Sequence, residues 1–246
     1  MAGRSSPCYR TGRRMAGGRL RAIDPEHLEA AASGGFRERL RSQPGGLLRI
    51  DRFFVSGVAD DLARFLGEEA RYRSEHRLYS AAHPVDHGSW TSADDRDRLS
   101  AVKRVANVEA SSVLGRGTIG FVRVRSLLHS AEFRSFLETI ASASLGNAWA
   151  VGACRLDAGD FIRPHRYDPG ACRLRFEVFL SPRWEATFGA ELCVVDKEER
   201  ITRVPALFNR AAVLDTSMGS TYFVAPRRPR DVAVPRLSLE ARYTPG

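Results

Sequence analysis

Eight short segments of apolar or alternating character follow one another after Asn147, and Pro and Gly residues separate them. They cover residues 148–157, 161–165, 173–180, 190–195, 201–204, 211–215, 221–225 and 235–243. So many short strands at such close spacing are typical of a jelly roll or a similar barrel of two sheets. We therefore predict a β-barrel for the second half of the chain.

The first half carries helical signals instead. Asp24-Pro25-Glu26 combines an Asp N-cap with a Pro at the first helical position, and Gly34-Gly35 interrupts the helix that it opens. Residues 47–54 are predicted to be a strand, while apolar spacing predicts helices over 58–72 and from 130 to 143. Helices followed by strands indicate an α+β protein, with the helices packed on one outer face of the sheet.

Positive charge is concentrated at the start of the chain. The 246 residues carry 38 Lys and Arg against 29 Asp and Glu, a net charge of +9, and residues 1–22 contain six Arg and no acid. We predict a disordered basic tail over 1–22, with Met15 as an alternative start. A single domain over 23–246 follows, with helical support over 23–146 and the barrel over 147–246.

Composition and missing motifs exclude several classes of protein. No apolar run approaches the roughly 18–20 residues of a membrane span, and no signal-peptide core is present, so we expect a cytoplasmic protein without a membrane partner. No helix-turn-helix, zinc-finger or aromatic-stacking motif accompanies the positive charge, so we expect no nucleic-acid partner. The four Cys residues, at 8, 154, 172 and 193, have neither zinc nor disulfide spacing.

Five segments of the barrel half carry a resemblance to a known family. They are Gly159-Asp-Phe-Ile-Arg-Pro-His165, residues 173–184, Gly189-Ala-Glu-Leu192, Phe208-Asn-Arg210 and residues 236–243. In this order they resemble the prolyl-hydroxylase type of 2-oxoglutarate/Fe(II) dioxygenase. The resemblance implies a double-stranded β-helix supported by N-terminal helices. It also implies an HxD motif and a distal His that hold Fe(II), with positions left open for 2-oxoglutarate and oxygen.

The metal ligands that this resemblance implies are incomplete. Tyr167 stands two residues after His165, where the family has Asp, and Asp168 comes one residue later. Tyr222 stands where the family has its distal His, and no His follows His165. A turn at Pro169-Gly170 could bring Asp168 back. We therefore expect no metal; if one binds, His165 and Asp168 are its predicted ligands.

The residues that the resemblance assigns to the co-substrate are only partly present. Leu156 and Phe179 stand where the family often has Tyr, whereas Arg236 matches the Arg that clasps the 2-oxoglutarate carboxylate. Strand alternation adds a second observation: Arg175 and Glu177 share the face of Phe179, which the resemblance turns into the barrel. Buried charges must be paired or take part in chemistry, so both are candidate pocket residues.

Three functions remain open. The first is a repurposed oxygenase-like enzyme that acts on a small organic molecule by metal-independent acid/base chemistry, such as cyclisation, isomerisation or elimination. Its predicted catalytic residues are His165, Tyr222, Glu177 and Tyr167; Arg236 and Arg175 are its predicted substrate-binding residues. The second is a working hydroxylase that uses Fe(II) and 2-oxoglutarate through non-standard ligands. The third is a non-catalytic binding module or a partner subunit of an active homologue.

Three further expectations complete these predictions. The Arg-rich composition is typical of a GC-rich bacterium, in which oxygenase relatives often tailor natural products. The chain could form a homo-oligomer or join a homologous subunit. Residues 83–97, with Trp90, are predicted to be a long loop that could cover the pocket, and their His83, Asp86 and His87 are expected to be solvated.

Overall fold

The computed structural model describes Gly18 and residues 20–106, 115–228 and 234–246. Its helices are α1 (Pro25–Ala32), α2 (Gly35–Ser42), α3 (Ser56–Arg64), α4 (His87–Ser92), α5 (Arg116–Leu128) and α6 (Ala131–Ala141). Its strands are β1 (Leu47–Ile50), β2 (Tyr72–Leu78), β3 (Arg98–Val105), β4 (Leu145–Leu156), β5 (Phe161–His165), β6 (Leu174–Phe179), β7 (Leu192–Val195), β8 (Ile201–Val204), β9 (Arg210–Asp215), β10 (Thr221–Val224) and β11 (Arg236–Pro245).

These strands form one antiparallel sheet that bends into a barrel. One layer has the order β1-β9-β6-β11-β4, and the other has the order β5-β10-β7-β8. Strand β3 pairs with both β4 and β5 and so connects the layers, while β2 pairs with the other edge of β3. The prediction of an α+β jelly-roll barrel with supporting helices is confirmed.

Two hydrophobic cores lie on opposite faces of the first layer. Leu174, Phe176 and Val178 of β6 pack in the core that the helices cover, where Phe176 meets Phe133 of α6 edge-on at 5.2 Å. Phe179 packs in the second core, between the two layers. The sequence prediction for the two faces of this strand is therefore confirmed, since the apolar residues face the helices and Phe179 faces the barrel interior.

Local hydrogen bonds explain where the helices begin. The Asp24 side chain accepts a hydrogen bond from the backbone N–H of Glu26, and the Ser130 side chain accepts one from Phe133. Both caps satisfy N–H groups that the first helical turn leaves free. No helix among the described residues is long and apolar enough to cross a membrane.

Several predicted boundaries are wrong in detail. Residues 1–17 and 19 of the predicted tail lie outside the described residues, but 20–22 form a 3-10 turn with Leu20 buried, so a tail ending at 22 is too long. The predicted helix over 58–72 ends earlier, in a π-helical turn over 65–69. Within 23–146 the structure adds β2 and β3 to the predicted helices and strand. β2 and β3 contain many charged residues and lack the apolar alternation that indicates a strand, so the sequence did not predict them.

Candidate functional site

Three aromatic side chains meet where β5 and β10 pair inside the barrel. His165 lies directly opposite Tyr222 in the antiparallel register, and their ring centroids are 4.3 Å apart. Tyr167 follows the end of β5 and stacks on Tyr222, with centroids 5.4 Å apart and ring planes 12° from parallel. The structure thus brings together three of the four predicted catalytic residues, which we call the aromatic trio (His165, Tyr167 and Tyr222).

The imidazole of His165 is held as a neutral ring. Its Nδ1 lies 2.9 Å from the backbone carbonyl oxygen of Arg163, so Nδ1 carries the proton and donates it there. Burial lowers the pKa of His165 to about 4, with the carbonyl hydrogen bond opposing this shift and the positive charges of Arg175 and Arg242 reinforcing it. At neutral pH Nε2 is therefore an unprotonated hydrogen-bond acceptor.

A network of buried charges lies next to the aromatic trio. Arg175 donates through Nη2 to Glu177 at 2.9 Å and to Glu240 at 2.8 Å. Arg236 donates to the other carboxylate oxygen of Glu177 at 3.1 Å. Glu240 also accepts from two arginines, at 2.6 and 3.2 Å; they are Arg104 and Arg242.

Both carboxylates of this network stay ionised. Burial by itself would raise the pKa of Glu177, but the charges of Arg175 and Arg236 outweigh it, and the pKa lies below its ordinary value. The pKa of Glu240 lies well below its ordinary value for the same reason, with Arg104 as the strongest partner. Among the described residues, the two carboxylates face four guanidinium groups, and Arg104 has a further contact to Glu75 at 3.6 Å. The interior around the network is therefore electropositive.

Several buried donors in this region have no hydrogen-bond partner among the described residues. They are the Tyr167 hydroxyl and guanidinium nitrogens of three arginines, namely Nε and Nη1 of Arg175 and Nε of Arg236 and Arg242. The Arg175 guanidinium lies over the Tyr222 ring at 4.2 Å, a cation–π contact that offsets part of its lost hydration. Unpaired buried donors are rare in folded proteins and require an explanation.

An exposed tryptophan borders this cluster. The guanidinium of Arg242 lies 5.4 Å from the Tyr167 ring and 5.6 Å from the Trp149 ring, and the Trp149 residue is 53% exposed. Arg242 therefore lies between the aromatic trio and a side chain at the surface. Tyr222, by contrast, is only 2% exposed.

The other predicted residues lie elsewhere or have partners already. Asp168 is exposed, and its carboxylate accepts a hydrogen bond from the backbone N–H of Gly170. Its carboxylate thus stabilises the turn at Pro169-Gly170. The predicted loop over 83–97 contains α4, in which Trp90 is buried against the ring of His76 at 4.9 Å. Asp86 caps α4 through the backbone N–H of Ser89.

These residues do not fit the iron site that the resemblance implies. Within the described ranges, no group of three or more His, Cys, Asp or Glu side chains is placed to hold a metal ion. The two residues that join His165 inside the barrel are tyrosines. Leu156 and Phe179 belong to the hydrophobic core between the layers, so neither offers a hydroxyl to a co-substrate.

Sequence reasoning missed three members of the charge network: Arg104, Glu240 and Arg242. A signal was present in β11, where Arg236, Ser238, Glu240 and Arg242 alternate with Leu237, Leu239, Ala241 and Tyr243. The second set packs in the helix-covered core, so the first set faces the barrel interior. Polar residues on the inner face of a barrel strand indicate a polar site.

Comparisons with known proteins support this architecture. A prolyl hydroxylase from Trichoplax adhaerens, solved with a hypoxia inducible factor peptide fragment, superposes with a TM-score of 0.63 at 13% identity, over 92% of this chain and 96% of the other. A prolyl-4-hydroxylase from Pseudomonas putida gives 0.57 at 14%, over 88% of this chain and 100% of the other. The chain has the fold of the 2OG-Fe(II) oxygenases.

A third oxygenase-fold structure agrees with the other two. An oxidoreductase of the 2OG-Fe(II) oxygenase family from Burkholderia pseudomallei gives a TM-score of 0.56 at 14% identity, over 86% of this chain and 90% of the other. No protein-family model matches the sequence, and no curated protein sequence matches it significantly. At such low identity the likeness establishes the oxygenase fold, and the chemistry has to be argued from this chain's own residues.

Proposed function

We propose that this oxygenase-fold chain acts on a small anionic organic molecule by transferring a proton, without iron or 2-oxoglutarate. The observation that carries the proposal is the direct pairing of His165 with Tyr222 beside Arg175, a buried arginine with two unpartnered nitrogens. An anionic acceptor would satisfy those nitrogens and reduce the positive excess of the interior. The reaction class is one that moves protons without net oxidation, such as cyclisation, isomerisation or elimination.

His165 is the proposed base. Its Nδ1–H is committed to a backbone carbonyl, so Nε2 is the atom that can accept a proton. A pKa of about 4 makes His165 a weak base at neutral pH. Burial is the main cause of this low pKa, and the charges of Arg175 and Arg242 add to it. An anion bound beside the two arginines would offset their contribution and raise the pKa of His165, which makes it a better general base. The substrate would thus help to activate its own base.

The tyrosines are the proposed proton donors. Burial raises the pKa of Tyr222 well above its ordinary value, although Arg175 acts in the opposite direction, so the hydroxyl stays protonated. The Tyr167 hydroxyl has no described partner and can donate to a bound acceptor. Glu177 was predicted to be catalytic, but its lowered pKa and its two arginine partners suit it better to holding those arginines in place.

Proton transfer can be tested before the substrate is known. A panel of 2-oxo and 3-oxo carboxylates is incubated with the protein in D2O, and wash-in of deuterium at the acidic carbon is followed by NMR. We expect exchange of at least one probe to persist in the presence of a metal chelator. Tyr222→Phe should lower the exchange rate by about 100-fold or more. Tyr72→Phe is the matched control and should leave the rate unchanged, because the Tyr72 hydroxyl bonds the backbone of Leu66 and its ring packs against the helix-covered core.

Metal analysis and an assay of succinate release, run beside the exchange assay, distinguish the alternatives. Stoichiometric iron together with succinate release on addition of Fe(II) and 2-oxoglutarate would replace this proposal by a hydroxylase. Binding of a carboxylate probe without deuterium exchange would favour a non-catalytic binding module. The deep burial of Tyr222 is the observation that favours the non-catalytic binding module, because a buried hydroxyl is hard for a substrate to reach. Biosynthesis of bacterial natural products is the setting that we propose for the enzyme, on the basis of its Arg-rich composition.

A further inference from the structure

The carboxylate of Glu177 lies between the guanidinium groups of two arginines. It lies between Arg236, at 3.1 Å, and Arg175, at 2.9 Å, and uses a different oxygen for each. All three residues are buried, with exposures of 1–3%. The Arg236 guanidinium also lies 4.8 Å from the Phe179 ring, which forms an apolar wall beside the ion pair.

Arg236 is the residue that the resemblance assigns to the carboxylate of an exchangeable co-substrate. In this chain its partner is a carboxylate from the neighbouring strand of the same sheet. A carboxylate held by two guanidinium groups through charge-assisted hydrogen bonds is a strongly bound anion. A second anion at this place would have to lie beside Glu177 in a region of low dielectric, where like charges repel strongly.

We propose that Glu177 permanently fills the carboxylate-binding position of the barrel, so that this chain does not bind 2-oxoglutarate. The proposal includes a latent site: removal of the Glu177 carboxylate leaves Arg175 and Arg236 as a buried receptor for a small carboxylate. Replacing Glu177 by Ala removes one methylene and the carboxylate, which are the atoms that acetate can supply. The inference does not depend on proton transfer at His165.

The test is chemical rescue measured as thermal stability. Glu177→Ala, Glu177→Gln, Glu177→Asp and the unmodified protein are unfolded in sodium acetate and in sodium chloride of equal ionic strength. We expect acetate to raise the Tm of Glu177→Ala by about 3 °C or more at saturation, because a ligand that binds only the folded state stabilises it. Glu177→Gln fills the space without charge, and Glu177→Asp keeps the charge, so neither should gain from acetate.

A second measurement covers the case in which Glu177→Ala does not fold in either salt. Binding of 2-oxoglutarate to the unmodified protein is measured by isothermal titration calorimetry, with and without Fe(II). We expect no saturable binding up to about 10 mM 2-oxoglutarate, which corresponds to a Kd above about 10⁻² M. Saturable binding to the unmodified protein would overturn the proposal, as would a folded Glu177→Ala variant whose Tm is the same in acetate and chloride.

Discussion

The state of His165 can be tested through its effect on stability. The half-buried ring has a pKa of about 4, compared with 6.5 for a free histidine. Because the unfolded chain binds this proton more readily than the folded protein, acid should favour unfolding. The stabilisation that the neutral ring allows is complete above pH 6.5 and is lost as the pH falls from 6.5 toward 4. His165→Gln removes the titrating group while keeping a polar side chain.

The size of the effect follows from the two pKa values. At pH 7.5 neither state is appreciably protonated at this site, so the contribution is close to zero. At pH 4.5 the unfolded state is protonated almost completely and the folded state only in part. The difference between the two states corresponds to about 2.5 kcal/mol of lost stability. A folded pKa one unit higher would still give about 2 kcal/mol.

The assay is urea unfolding at pH 7.5 and at pH 4.5, for the unmodified protein and for His165→Gln. Carboxylates that titrate in this range contribute to both proteins and cancel in the comparison. We expect the unmodified protein to lose about 2.5 kcal/mol more than the variant. His83→Gln, at an exposed position, should behave as the unmodified protein does. Parallel losses in the unmodified protein and His165→Gln would refute the neutral imidazole beside Arg175 and Arg242.

Three further predictions concern other positions. Asn209→Ala should cost about 2–4 kcal/mol in urea unfolding, because the Asn209 amide bonds both backbone groups of buried Phe54. Gly117→Ala should cost about 1–3 kcal/mol, because its Cβ would lie 2.8 Å from a backbone nitrogen of the π-helical turn. Tyr167→Asp combined with Tyr222→His should create Co(II) absorption that neither single variant shows, because both side chains meet His165.

The barrel could be predicted from the sequence because strand alternation is a local property. In β6 and the residue after it, Leu174, Phe176, Val178 and Leu180 mark one face, and the structure places them all in the helix-covered core. The pairing of His165 with Tyr222 followed from the resemblance rather than from spacing, since the two residues lie on strands that are distant in sequence.

The partners of the charged residues could not be predicted in this way. Glu240 bonds Arg175 on one side and Arg104 on the other, and these residues come from three different strands. Sequence periodicity shows that a charge faces inward, but the strand order decides which opposite charge it meets. β3, which supplies Arg104, lies in the half that we predicted to be mainly helical, so its role in the network had no local signal.

Arg175 takes part in both proposals, and it must serve each of the two proposed anions with different nitrogens. Its Nη2 is committed to Glu177 and Glu240, whereas its Nε and Nη1 have no described partner. A ligand recruited by Nε and Nη1 would therefore use nitrogens of Arg175 that Glu177 does not use, and it would not compete with Glu177 for them. Acetate bound in Glu177→Ala would instead take the place of the Glu177 carboxylate, between Nη2 of Arg175 and Arg236. Loss of the Glu177 carboxylate should thus weaken folding far more than it weakens binding of a carboxylate probe beside His165. Equal losses of stability and of probe binding would mean that the probe and the Glu177 carboxylate share one anion position.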